Sequence, residues 1–69
     1  SGNDEIMLTA IAPNNFEYNI NDSEQIFSMK ILTKPSFKRI ALKIPVKSLN
    51  KVLVELESAG LKIEHIYDY

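Results

Sequence analysis

The sequence has no cysteine and no tryptophan, and only one histidine, two glycines and three prolines in 69 residues. Each scarcity closes a route. Without cysteine no disulfide can staple a small fold, and a single histidine adds too few donors for a structural zinc site. There is no phosphate loop and no paired-glycine fingerprint. No apolar run approaches the roughly 20 residues of a membrane-spanning helix, and no signal or transit pattern is read. The lack of cysteine leans towards the cytosol and is compatible with the periplasm if a signal segment has been removed.

What is present is ordinary for a folded domain: 45% hydrophobic and 25% charged residues, unlike a disordered segment. The length allows one domain, read over residues 5–69, with the polar residues 1–4 as a tag or linker. Such a short chain buries a modest share of its surface. An efficient core, self-association or docking onto a larger protein has to make up the difference.

The formal net charge of −1 hides a partition. Residues 1–24 carry Asp4, Glu5, Glu17, Asp22 and Glu24 and no base. Residues 30–51 carry Lys30, Lys34, Lys38, Arg39, Lys43, Lys47 and Lys51 and no acid. Residues 52–69 are acidic again, with Glu55, Glu57, Glu64 and Asp68 against Lys62. A basic middle lies between two acidic ends.

Apolar periodicity divides the chain into β-β-β-β-α-β. Residues 5–12 are a mostly apolar run ended by Pro13-Asn14-Asn15, which predicts a strand and a turn. Phe16, Tyr18 and Ile20 alternate with polar residues and predict a second strand, closed by a turn at Asn21-Asp22 that would bring Phe16 to Phe27. Residues 24–33 and 37–44 predict a hairpin with Lys34-Pro35 at its tip. That register sets Met29 opposite Ile40, Phe27 opposite Leu42, Lys30 opposite Arg39 and Leu32 opposite Phe37. After Pro45, the stripe Leu49, Val52, Leu53, Leu56 and Ala59 predicts a helix over about 47–59, with Ser48 as N-cap and Gly60 past its end. Residues 61–69 complete the set as a strand. The expected fold is an α+β two-layer sandwich, a mostly antiparallel sheet of four to five strands covered by one helix. Its strand-helix-strand unit over 37–68 should hold two parallel strands in a right-handed crossover.

The last third carries a family pattern. Leu49-x-x-Val52-Leu53-x-x-Leu56-x-x-Ala59-Gly60-Leu61-x-Ile63-Glu64-x-Ile66-Tyr67-x-Tyr69 resembles the second helix and last strand of ACT domains, and Ile40–Pro45 resembles the strand before them. Over residues 37–69 the resemblance implies a ferredoxin-like half, a non-catalytic regulatory module, and pairing of two copies through sheets or edge strands. It also implies an amino acid or similar metabolite at the dimer interface, near Val46, Lys47, Ser48 and Asn50. The chain departs from the family in two places. Pro45-Val46-Lys47-Ser48 replaces the acidic, glycine-bearing loop before the helix, and Pro13–Glu24 replaces the first helix.

Catalysis has little to stand on. His65 is the only histidine, no nucleophile motif accompanies it, and its plainer role is strand packing. Glu64 and His65 are adjacent, so on a regular strand they point to opposite faces and cannot share a metal ion. No catalytic, metal or cofactor site is assigned. The basic band offers Lys30, Arg39 and Lys43 as an anion-binding surface. Like charges facing each other across strands are destabilising unless something neutralises them, whether an anionic partner or the protein's own acids. A pI near 5.7 and a single neighbouring aromatic argue against nucleic acid as that partner. The chain therefore reads as a small interaction or regulatory module, a homodimer or part of a larger complex, with a small-molecule ligand as one role. The alternatives are a structural module of an assembly or the cell envelope, acting through exposed strands, and a weak anion binder.

Overall fold

Four strands and one helix make up the chain in the computed structural model, which describes residues 4–68. The strands are β1 (Glu5–Pro13), β2 (Glu24–Lys30), β3 (Phe37–Pro45) and β4 (Lys62–Asp68). A 3-10 turn, Val46–Ser48, leads into helix α1 (Leu49–Ser58). The strands lie in the order β2-β3-β1-β4, each neighbouring pair antiparallel. This is the expected α+β sandwich. Strands β3 and β4 both run against β1, so they are parallel to each other, but β1 separates them. The helix joins them in a split strand-helix-strand unit, and the sheet has a ferredoxin-like plan without its first helix.

The core lies between the sheet and α1. Alternate residues of the central strands point into it: Ile6, Leu8, Ala10 and Ala12 from β1, and Ile40, Leu42 and Ile44 from β3. The helix contributes Val52 and Leu56, both fully buried, with Leu49 and Leu53 packed at the margin. Ala59, at the end of the predicted stripe, is exposed. Ser48 holds the N-cap position, but its side chain makes no capping hydrogen bond, because the 3-10 turn enters the helix in its place. Gly60 ends the helix as expected. Its φ of +84° is left-handed, the Leu61 N–H donates to the Leu56 carbonyl and the Gly60 N–H to that of Glu57. That pattern closes the last turn and delivers Leu61 into the core.

The strand predicted at 16–20 does not form. Its alternation is real: Ile20 is buried and Phe16 and Tyr18 pack against the core. Alternation reports one-sided burial, however, and a strand also needs a neighbour. Its expected neighbour, β2, pairs only with β3, while Phe16, Tyr18 and Ile20 turn towards the core and away from that outer edge. Residues 14–23 instead lie irregularly on the helix side of the sheet. They are tied down by Lys38 Nζ donating to the Phe16 carbonyl at 2.6 Å, by a Tyr18–Ser23 hydroxyl contact, and by an Asp22–Lys51 ion pair at 2.6 Å. Asp22 takes φ +61° at the expected turn.

The β2–β3 register also differs from expectation. Met29 stands opposite Arg39, Lys30 opposite Lys38 and Phe27 opposite Ala41. Two successive turns, closed by Lys34 N–H to Ile31 and Phe37 N–H to Lys34, replace a tight tip at Lys34-Pro35. An irregularity between Gln25 and Phe27 shifts the rest of the ladder. Leu32 sits in the first turn, 91% exposed, and does not pair with Phe37. A one-residue slip turns a strand over, so Phe27 and Met29 leave the helix side for the opposite face, and Phe16 and Phe27 end on opposite sides of the sheet.

Candidate functional site on the open sheet face

Nothing among the described residues covers the face opposite α1. Its middle is lined by small or partly buried residues: Met7, Thr9 and Ile11 on β1, and Ala41 on β3. Around them stand Phe27 and Met29 on β2, Phe37 at the start of β3 and Tyr67 on β4, each exposed by 41 to 50%. Every residue of β2 is exposed. This edge strand leaves three large apolar side chains, Ile26, Phe27 and Met29, partly in solvent, a feature that natural edges usually avoid.

Charges on this face are paired across strands. Arg39 grips Glu64 with two parallel hydrogen bonds of 2.7 Å. Lys43 lies 3.4 Å from Glu24 and 4.0 Å from Glu5. The bidentate bond holds the Glu64 carboxyl below its ordinary range and pushes the Arg39 guanidinium further into its charged form. Glu64 reaches Arg39 because β4 carries an irregularity opposite Thr9/Ala10, where Thr9 pairs with His65 and Ala10 with Ile63. The extra residue brings Glu64 and His65 to the same face, contrary to the regular-strand expectation. His65 is exposed, and its ring leans on Tyr67 with centroids 5.8 Å apart. Thr9 faces His65, and its buried hydroxyl lies beside the Glu64 carboxylate, whose charged form it helps to hold.

The basic trio of the sequence reading is dispersed. Arg39 and Lys43 share the open face, each engaged with acids, while Lys30 stands beside Lys38 on the helix side of the ladder. Of the four loop residues, Val46 and Lys47 line a shallow depression of about 480 Å³ with Asp4 and Pro45, and Ser48 and Asn50 lie outside it. A second cleft of about 480 Å³, with no signal in the sequence, lies at the end of the open face. Its walls are the β2–β3 connection (Ile31, Thr33, Lys34) and the start of β4 (Lys62, Ile63, Glu64). Ile11, Phe37 and Arg39 lie between them. Lys34 and Lys62 are far apart in sequence and only the register unites them.

No family model, curated protein or solved structure matches the chain. No helix among the described residues is long and apolar enough to cross a membrane.

Proposed function

We propose that this chain is a non-catalytic, ACT-like interaction module that works as a dimer, with the open sheet face as its interface. One observation carries the reading: an edge strand, every residue of it exposed, that directs the half-exposed Phe27 and Met29 onto the face opposite the helix. The partner best suited to that face is a second copy. Its central charges, Arg39 with Glu64 and Lys43 with Glu24 and Glu5, are already paired, so two such faces can meet there without the like-charge repulsion an unpaired basic band would bring. The same pairing weakens the case for nucleic acid, because Arg39 and Lys43 have acids at hand. A stable interface takes about 800 Å² from each partner, a modest part of the 4668 Å² of surface. The amino-acid ligand implied by the ACT resemblance has less support, since the four loop residues do not line one cleft.

Sedimentation equilibrium tests the reading. A dimer is expected at micromolar concentrations, and Phe27→Glu should weaken it by more than about tenfold with the far-UV spectrum unchanged. A clean monomer at high micromolar concentration would sink the proposal.

A further inference from the structure

We infer that the cleft at the end of the open face is a binding site for a small molecule with one carboxylate on an apolar, aromatic body. Its volume of about 480 Å³ falls in the range of small-molecule sites, which combine apolar walls with a few convergent polar groups. The apolar part is supplied by Ile11, Ile31 and Ile63 and by the exposed ring of Phe37. The polar part has a definite sign. Three bases and one acid line the cleft, and Arg39 and Glu64 satisfy each other through two hydrogen bonds. Lys34 and Lys62 remain. They approach from opposite walls, both exposed, and neither side chain makes an ion pair or hydrogen bond among the described residues.

Two ammonium groups with no protein partner among the described residues, over an apolar floor, recognise a single anionic head with an apolar tail. A cation would meet repulsion from both lysines. A neutral molecule of the same shape would forgo the charge-assisted hydrogen bonds that make such contacts the stronger kind. The locked Arg39–Glu64 pair gives the floor a fixed shape, so little ordering is needed on binding.

Ile11, Phe37 and Arg39 also belong to the proposed interface, so binding is read on the monomeric Phe27→Glu chain beside the parent, and the inference stands or falls apart from dimerisation. The experiment titrates the chain with phenylacetate, 2-phenylethanol and phenethylamine, three probes of similar shape and different charge, and follows backbone amides by NMR. Phenylacetate should bind at millimolar strength and shift the amides of Thr33, Lys34, Arg39 and Lys62. The alcohol and the amine should bind at least about tenfold more weakly. The double variant Lys34→Ala/Lys62→Ala should lose about tenfold in phenylacetate affinity while keeping the dispersed spectrum of the folded chain. Shifts of equal size from all three probes, no shift with phenylacetate, or unchanged affinity in the folded double variant would each overturn the inference.

Discussion

Single residues show how local chemistry sets the pH response. Glu64 is held in its charged form mainly by the hydrogen bond from Arg39, and Asp22 mainly by that from Lys51. Both carboxyls titrate lower in the folded chain than in the unfolded one. The unfolded state therefore takes up protons first as pH falls. The stability these pairs add is fully present above the ordinary carboxylate range and is lost as pH drops through the folded values. Their partners Arg39 and Lys51 titrate higher than usual, so their half of the linkage fails only under strong alkali. Glu64→Gln should thus melt below the parent chain at neutral pH. The gap should close as pH falls below about 4, where the parent loses the same interaction by protonation. Thermal melts of both proteins across that range check it.

At the scale of elements, the legible parts were those whose signal is local. Helix α1 announces itself by a stripe at 3.6-residue spacing and by Gly60 where a left-handed residue is needed. Strands β1 and β3 announce themselves by apolar runs ended by proline. Segment 14–23 and the register of β2 were not legible, because both depend on what lies next to them. Phe16, Tyr18 and Ile20 alternate as a strand would, yet they pack against the core beneath the sheet and pair with no strand. Phe27 and Met29 look like core residues on the assumption that apolar side chains face one core, whereas here both faces carry apolar side chains. The cleft was hidden for the same reason. If segment 14–23 does the work of the missing first helix, its anchor should matter as a core residue does. Ile20→Ala, which empties a site only 4% exposed, should cost about 2–5 kcal/mol in chemical unfolding. The same change at the exposed Leu32 should cost little.

For the molecule as a whole, the partition of charge along the chain takes on a structural meaning. The ion pairs Asp22–Lys51, Glu5–Lys43, Glu24–Lys43 and Arg39–Glu64 each join the basic middle to an acidic end. The two ends fold against the middle, so charges that cancel along the chain also meet in the fold. What closure does not provide is a second cover for the sheet. A 69-residue chain with one covered face has little stability to spare. If a second copy supplies the missing cover, folding and association are linked, and stability must depend on protein concentration. Each tenfold rise in concentration above the dissociation constant is worth about 1.4 kcal/mol per dimer, or half that per chain. For a domain of this size that corresponds to a melting temperature higher by roughly 3–6 °C. Melts recorded over two decades of concentration should show this rise in the parent chain. They should show none in Phe27→Glu, whose melting temperature should sit near that of the most dilute parent sample. A parent whose melting temperature stays fixed over that span would mean that the open face is left uncovered in the folded chain.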